Sequence, residues 1–309
     1  MIKLSIISTV YNDSQLVRPL VEAIDFHTKP LNIDYEIILV NDFSSDDSQR
    51  SIQEICQSHT HVKGIELRRN HGQQIAMSVG IEHATGERVL IMDGDLQNPP
   101  EAIPELYNKS LEGYDIVYAV SNTRNNGLDE FTSRLCWFVL NKVLSGNYVE
   151  NQLMMKIMHH EVADEFKDYR EHFRLVCGIT HDLSSNIATL EVENKKRTIG
   201  SSHYTFFKRM DLMVDFIIST SARPLNFMLY LGVFTALVSL ILSFTYLISH
   251  LIQDTRPGFT SLILVNLVIG GIIISMLGLI GRYLSNMYLE TKSRPLYHIK
   301  NKVNFNLKK

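Results

Sequence analysis

Residues 88–101 read Arg-Val-Leu-Ile-Met-Asp-Gly-Asp-Leu-Gln-Asn-Pro-Pro-Glu, an apolar run that leads into a pair of carboxylates. The run Arg88–Met92 has the length and apolar content of a strand that is buried on both faces of a sheet. Asp93 and Asp95 follow it directly, with Gly94 between them. Mg²⁺ and Mn²⁺ prefer oxygen ligands, and two carboxylates at a strand end can share such a cation and a ribose. The segment therefore predicts a buried strand that ends in a metal-binding turn.

The sequence around this segment alternates short apolar runs with amphipathic ones. The predicted strands are Leu4–Val10, Glu36–Asn41, Val62–Leu67, Arg88–Met92 and Asp115–Ala119. The predicted helices are Ser14–Phe26, Asp46–Gln57, Gln73–His83 and Glu101–Leu111. Alternation of this kind builds a parallel sheet with right-handed crossover connections. The predicted fold class is therefore α/β, with a mostly parallel sheet.

Polar residues follow four of these strands at the point where each strand ends. They are Tyr11-Asn12-Asp13, Asn41-Asp42, Arg68-Arg69-Asn70 and Asp93-Gly94-Asp95. In open parallel sheets ligands bind beyond the carboxyl ends of the strands, so these turns are candidates for one site. A set of solvated loops would also be polar, and position alone leaves that interpretation open. The sequence has no GxGxxG and no Walker A pattern, which disfavours a dinucleotide-binding or P-loop enzyme.

Composition argues against a nucleic-acid-binding protein, a disulfide-rich protein and a zinc site. The 309 residues carry a formal net charge of -3, which provides no general basic field for nucleic acid. The three cysteines, Cys56, Cys136 and Cys177, are odd in number and far apart in the sequence. This pattern favours a reducing compartment and argues against a disulfide framework or a zinc site.

Two stretches near the C-terminus lack Asp, Glu, Lys and Arg, from Pro224 to Gln253 and from Pro257 to Gly281. At a helical rise of roughly 1.5 Å per residue, each can cross a hydrocarbon core of about 30 Å. Two buried core helices are the alternative, but core helices of this length without a polar face are uncommon. We expect two transmembrane helices, over residues 226–252 and 259–283.

The charges that flank these stretches predict their orientation. Residues 292–309 carry Lys and Arg without any acidic residue, whereas the connecting segment 250–259 has Arg256 as its only fixed positive charge. The positive-inside rule then places both termini on the cytoplasmic side of the plasma or inner membrane, with the tail against anionic headgroups. The predicted organisation is a cytoplasmic domain (1–205), a juxtamembrane amphipathic region (206–224), two transmembrane helices (225–285) and a basic cytoplasmic tail (286–309). An ordinary packing helix within 206–221 is an alternative to an interfacial one.

At this point the sequence resembles a family. The segment Asp93–Glu101 resembles the signature of family 2 inverting glycosyltransferases, in the branch with dolichyl-phosphate mannose synthase and bacterial polyprenyl-phosphate glucosyltransferases. Asn41–Asp46 is similar to the Asp-Asp-Gly-Ser-x-Asp turn of that family, with Asn41 in place of the first acid. Further segments that resemble family motifs are Val10–Asp13 (first strand), Arg69–Ala76 (Arg-Asn-x-Gly), Arg197–Tyr204 (Arg-x-x-Gly-x-Ser-x-Tyr) and Tyr288–Pro295. The resemblance covers essentially the whole chain.

The resemblance implies a GT-A type domain that transfers a hexose from a nucleotide-sugar, expected to be UDP-linked, to a polyprenyl phosphate with inversion. It also implies Mg²⁺ or Mn²⁺ as cofactor, undecaprenyl phosphate as the lipid of a bacterial host, and a homo-oligomer. The residues implied to bind the nucleotide-sugar are Tyr11, Asn12, Asp42, Arg69, Gly72, Gln73 and Asp93. Those implied to act in catalysis are Asp93, Asp95 and Glu150, with the metal on Asp95 and Gln97. Those implied to bind lipid phosphate or diphosphate are Arg124, Arg197, Ser202 and Tyr204.

Two regions depart from the family pattern. The family usually has Gly-Asp-Phe-Arg before Leu-Met, where this chain has Glu150 and Gln152 at the acidic and basic positions. Arg124 stands alone where two basic residues are common. These departures leave the preference for the donor sugar and the contacts to the acceptor phosphate open.

Two other functions are compatible with part of the sequence. A processive polysaccharide synthase, or a transferase that acts directly on a glycan, is the first. Processive relatives carry Gln-x-x-Arg-Trp, but the single tryptophan here, Trp137, follows Cys136. A non-catalytic protein that binds nucleotide-sugar or glycolipid is the second. Retention of Asp93, Asp95 and the Arg197–Tyr204 motif counts against it.

Overall fold

The computed structural model describes residues 2–121, 149–171, 174–193, 223–252 and 258–305. The chain divides into two compact units. One comprises residues 1–210 together with 295–309, and the other comprises residues 211–294.

The first unit contains one mixed sheet. Its strands are β1 (Leu4–Val10), β2 (Tyr35–Asn41), β3 (Val62–Leu67), β4 (Arg88–Asp93), β5 (Ile116–Ser121), β6 (Gln152–His159), β7 (Ile187–Val192) and β8 (Ile299–Val303). Its helices are α1 (Ser14–Thr28), α2 (Ser48–Ser58), α3 (Gln73–His83), α4 (Ile103–Ser110), α5 (His160–Asp168) and α6 (Val176–Leu183). The strand order is β7-β5-β6-β4-β1-β2-β3-β8. All of these strands run in one direction except β6 and β8, which are antiparallel to their neighbours.

The sheet is buried on both faces. In β2, Ile37 and Leu39 belong to a core cluster that includes residues of α1, α2 and α4. Ile38 and Val40, which point the opposite way, belong to a second cluster that includes residues of α3, α5 and α6. All four side chains are fully buried, and each contributes about 2 kcal/mol through removal of apolar surface from water. This two-sided burial explains why the central strands are continuous apolar runs.

The predicted α/β class with a mostly parallel sheet is confirmed. The first five strands and the helices between them lie where the sequence predicts them, with bounds that differ by a few residues at most. The last three strands were not predicted. One of them, β8, lies within residues 286–309, for which the charge pattern predicts a basic cytoplasmic tail. It pairs antiparallel with β3, and the Lys300 ammonium lies 2.6 Å from the Glu66 carboxylate.

The second unit contains two long helices, α7 (Arg223–Ile252) and α8 (Phe259–Thr291), over the two stretches predicted to span a membrane. Within the described residues, one segment, Ile269–Thr291, has the length and hydropathy of a membrane span. The structure therefore gives one candidate span where the sequence predicts two. The predicted amphipathic segment 206–221 lies outside the described residues.

Candidate active site

Asp42 lies at the carboxyl end of β2, where its side chain is held by the loop that follows β3. Its carboxylate accepts hydrogen bonds from the backbone N–H groups of His71 and Gly72, both at 2.8 Å. Gly72 has φ +88° at the start of α3, a conformation that strains any residue with a Cβ. Burial raises the pKa of Asp42 even though these two hydrogen bonds act in the opposite direction. The loop and strand thus hold the buried Asp42 carboxylate, a hydrogen-bond acceptor, at the carboxyl ends of the parallel strands.

Asp93 ends β4 and is oriented by two amide side chains. Gln73 Nε2 donates to Asp93 Oδ1 at 2.6 Å, and Asn98 Nδ2 donates to Asp93 Oδ2 at 2.8 Å. Asn98 is 2% exposed, so its contact with Asp93 is shielded from water. Because each carboxylate oxygen has its own amide donor, the plane of the Asp93 carboxylate is fixed before any substrate binds.

Asp95 lies one residue beyond the strand and closes a tight turn with Gln97. The Gln97 backbone N–H donates to Asp95 Oδ1 at 3.1 Å, and Gln97 Nε2 donates to Asp95 Oδ2 at 2.8 Å. Gly94 passes close to β1, because a Cβ at this position would lie 2.4 Å from the Thr9 carbonyl oxygen. The glycine therefore permits the turn to approach the neighbouring strand.

The turns after β1 and β2 are tied to each other. The Asn12 N–H donates to Ser44 Oγ at 3.0 Å, and the Ser45 N–H donates to Asn12 Oδ1 at 2.8 Å. Asn41 Oδ1 in turn accepts from the Ser44 N–H at 2.9 Å. Tyr11, in the first of these turns, is 51% exposed. The two turns form one hydrogen-bonded rim that presents an aromatic side chain to solvent.

The residues predicted to bind the nucleotide-sugar and the metal are therefore clustered on one edge of the sheet. Arg69 joins them through a 3.4 Å hydrogen bond from its Nε to His71 Nε2. Burial, together with the charges of Arg69 and His298, lowers the pKa of His71. Glu150 lies in the exposed turn before β6, next to the end of β5, where the Ser121 N–H donates to the Asn151 carbonyl.

The four residues predicted to bind phosphate lie outside the described residues. They are Arg124, Arg197, Ser202 and Tyr204.

Two residues at this edge were missed by the sequence analysis. Asn98 lies inside the quoted segment 88–101, but its spacing from Asp93 gave no sign that it orients that carboxylate. Phe43 follows Asp42, has φ +61° and is 48% exposed. A signal for Phe43 was available, because it takes the glycine position of the Asp-Asp-Gly-Ser-x-Asp turn.

The side chains around Asp95 fit a hard divalent cation. They offer carboxylate and amide oxygens, the ligand type that Mg²⁺ and Mn²⁺ prefer. Gln97 directs its amide nitrogen at Asp95, and a 180° rotation of the amide would present its oxygen instead. Beside Asp93, the buried Asn98 Oδ1 has no hydrogen-bond partner within the described ranges. The donor set is thus composed of oxygens, without a competing thiolate at this turn.

Comparison with known proteins identifies relatives over nearly the whole chain. The family model described as Glycosyl transferase family 2 matches residues 5–176. An uncharacterized glycosyltransferase of Synechocystis is 34% identical over 96% of this chain and 94% of its own length. An undecaprenyl-phosphate 4-deoxy-4-formamido-L-arabinose transferase of Klebsiella pneumoniae is 29% identical over 96% of this chain and 92% of its own length.

A solved structure shares the fold. Glucosyl-3-phosphoglycerate synthase from Mycobacterium tuberculosis, in complex with UDP, aligns with a TM-score of 0.50 and 16% identity. The alignment covers 72% of this chain and 79% of that protein. This likeness supports the GT-A-like α/β fold of the first unit.

Proposed function

Because the chain belongs to glycosyl transferase family 2, we propose that it transfers a hexose from a UDP-linked sugar to a polyprenyl phosphate with inversion. The product is a polyprenyl-phosphate sugar, a lipid-linked donor for modification of a cell-envelope glycan. The main structural support is the set of three oriented carboxylates, Asp42, Asp93 and Asp95, on one edge of the sheet. Near full-length similarity to undecaprenyl-phosphate sugar transferases supports the choice of acceptor.

The proposed reaction is a single in-line displacement. An oxygen of the lipid phosphate forms a bond to the anomeric carbon while the bond from that carbon to the UDP oxygen breaks. A phosphate monoester has its second pKa near about 6, so the nucleophile is largely dianionic at pH 7. A strong general base is therefore unnecessary, in contrast to attack by a sugar hydroxyl. The exposed Glu150 is compatible with this chemistry, and we assign it a place beside the reacting sugar.

Each carboxylate has a separate role in the proposal. Asp42 binds the nucleoside, and Asp93 binds the ribose or diphosphate region of the donor. Asp95, with Gln97, would hold Mg²⁺ or Mn²⁺. The cation, when bound, neutralises charge on the departing UDP.

Phosphate binding is assigned to residues beyond the sheet edge. Arg124, Arg197, Ser202 and Tyr204 supply guanidinium and hydroxyl donors, which suit phosphate oxygens. These assignments follow from the family resemblance.

Connectivity supports two membrane spans. Strand β8 follows α8 in the chain and is hydrogen-bonded to β3, which precedes α7. Strands of one sheet lie on the same side of a membrane, so the intervening chain must cross it an even number of times. A single crossing at Ile269–Thr291 would separate β8 from β3.

Exposed apolar side chains argue against no crossing at all. Large side chains of both helices are exposed, among them Phe227, Leu229, Tyr230, Ile274 and Leu277. Helices with apolar surface of this extent are expected in lipid rather than in water. We therefore include α7 and α8 in the proposal as a two-helix anchor. The basic residues after α8 favour the cytoplasmic side for both termini.

The proposed function is tested with membranes that contain the protein. Radiolabelled UDP- and GDP-linked hexoses are supplied one at a time with Mg²⁺ or Mn²⁺ and polyprenyl phosphate, and label is counted in the organic phase. We expect cation-dependent label in an acid-labile lipid. The label should be lost in Asp95→Ala and kept in Asp34→Ala, a matched control whose side chain is exposed in the loop before β2. Label that stays aqueous or enters a polymer with every donor would contradict the proposal.

A further inference from the structure

Phe43 has a backbone conformation that its residue type disfavours. Its φ is +61°, in the left-handed region, where a bulky side chain is a genuine outlier. Such strained conformations persist only where other interactions of the folded protein hold them in place, and they cluster at functional sites. The position corresponds to glycine in the turn motif that this segment resembles, and glycine would adopt the same φ without strain.

A second residue at the same sheet edge serves as an internal comparison. Leu96 also has a left-handed φ, +59°. Its side chain is partly buried and packs against the core cluster beneath α1, α2 and α4. Burial of apolar surface offsets the strain at Leu96. Phe43 is 48% exposed, so packing does not account for a phenylalanine at that position.

The backbone around Phe43 is anchored on both sides. The Asp42 N–H donates to the Val10 carbonyl at 3.0 Å. On the other side, the Ser44 N–H and Oγ donate to Asn41 Oδ1 at 2.9 and 2.7 Å. The protein thus holds an exposed aromatic ring in a defined place, next to a buried carboxylate.

The adjacent turn carries a second exposed aromatic side chain. Val10 and Asn41 are register partners in the parallel pair β1–β2, so the turns that follow them are neighbours. Tyr11 in one turn is 51% exposed, and Phe43 in the other is 48% exposed. Every nucleobase has a flat face that can stack on an aromatic side chain. Two exposed rings beside a carboxylate therefore suit a nucleobase, whose polar edge can contact the carboxylate.

We propose that Phe43 stacks on the nucleobase of the donor and so contributes to binding of the nucleotide-sugar. The proposal rests on the proposed function and adds a binding residue to it. Stacking of one base on an aromatic side chain corresponds to roughly tenfold or more in affinity. The binding contributed by the Phe43 ring would then explain why this turn keeps a strained backbone conformation.

The test measures binding of UDP, GDP and an abasic analogue, 1-deoxyribose 5-diphosphate, to the full-length protein in detergent. For whichever nucleoside diphosphate binds, we expect Phe43→Gly to weaken binding about tenfold. Binding of the abasic analogue should be unchanged, since it has no base to stack. Phe43→Trp should retain the affinity, and Phe43→Leu, which keeps apolar bulk without an aromatic face, should lose it. In transfer assays Phe43→Gly should raise KM for the donor more than it lowers kcat.

Thermal unfolding of the same variants separates binding from folding. Phe43→Gly relieves the left-handed strain, so its unfolding midpoint should not fall below that of the unaltered chain. Loss of affinity together with an unchanged or higher midpoint supports the proposal. Unchanged nucleoside diphosphate affinity in Phe43→Gly, or an equal loss for the abasic analogue, overturns it while the proposed function stands. Failure of the unaltered chain to bind either UDP or GDP would overturn both.

Discussion

Gly94, between the two acidic residues of the β4 turn, allows that turn to lie close against β1 because it has no Cβ. A Cβ added at Gly94 would lie 2.4 Å from the Thr9 carbonyl oxygen and 3.3 Å from Ser8 Oγ. A carbon–oxygen contact ordinarily needs about 3.3 Å, so the turn and β1 must separate by roughly 1 Å. The first clash is with backbone, so no rotation of a side chain relieves it. Asp93 and Asp95 flank the glycine and must move with it.

A displacement of this size has a predictable effect on the rate. Misplacement of reacting groups by about 1 Å costs on the order of a hundredfold in rate, so we expect Gly94→Ala to lower kcat/KM for sugar transfer by that factor. Overpacking should also lower the unfolding free energy by about 1–3 kcal/mol. The assay is transfer of labelled sugar to polyprenyl phosphate, normalised to folded protein by thermal unfolding. Gly278→Ala is the matched control, because a Cβ there meets no atom of the described part of the chain within 4 Å. Activity of Gly94→Ala within threefold of the unaltered enzyme would refute this reasoning.

Three further changes test other contacts. Asn98→Ala removes an amide donor to Asp93 Oδ2, and we expect kcat/KM to fall by about 10–100-fold, since loss of a side chain that orients a functional group typically has effects of this size. Unchanged kinetics would show that Asn98 is dispensable. In Glu36, burial alone would raise the pKa, but hydrogen bonds from Lys63 and neighbouring groups outweigh it and lower the pKa below its ordinary value of 4.5. The stabilisation by ionised Glu36 is thus present above pH 4.5 and declines as pH falls through the lower folded-state pKa. Glu36→Gln should therefore lose about 3 kcal/mol of unfolding free energy at pH 7. Chemical denaturation between pH 7 and 3 should show a flatter pH dependence of that free energy in the variant. Asn304→Asp replaces an amide group that contacts three backbone carbonyls as a donor. It should lower the unfolding free energy by about 2 kcal/mol and speed proteolytic removal of the C-terminal strand. An unchanged cleavage rate would contradict the role given to this amide.

The strands that could be predicted are those whose burial is visible in their own sequence. Leu4–Val10 and Val62–Leu67 were predicted with their observed bounds, because strands covered on both faces need continuous apolar runs. Strand β6 breaks this rule with Lys156, which is fully buried. Its ammonium donates to Cys177 Sγ at 3.3 Å and lies 5.2 Å from the centre of the Tyr118 ring. These partners are distant in sequence, so a lysine in a core strand could not be anticipated.

Edge strand β8 was not predicted, for a different reason. β8 is short and carries Lys300 and Lys302, which a sequence pattern assigns to a solvated tail. Lysines on an edge strand are a common device against edge-to-edge association of sheets. The charges that predicted a free tail are those expected of a strand at the sheet boundary.

The acidic residues of the candidate site could be predicted, and the groups that orient them could not. Asp42, Asp93 and Asp95 each follow an apolar run, so their place at the sheet edge follows from the alternation of strands and helices. The partners Asn98 and Gly72 act through an amide hydrogen and a backbone N–H. These contacts depend on turn geometry, which residue types alone do not specify.

After the two long helices the chain returns to the sheet of the first unit as β8, next to the loop proposed to bind the donor. Because β8 is antiparallel to β3, its first residues lie beside the last residues of β3. The Arg68 N–H donates to the His298 carbonyl at 2.9 Å, so this contact fixes the start of the loop that carries Gly72 and holds Asp42. During synthesis the edge of β3 stays open until β8 has emerged, which is after both helices have been made. This loop therefore gains its final support only after both helices have been synthesised, and, if it binds the donor as proposed, loss of β8 should loosen nucleotide binding as well as the sheet.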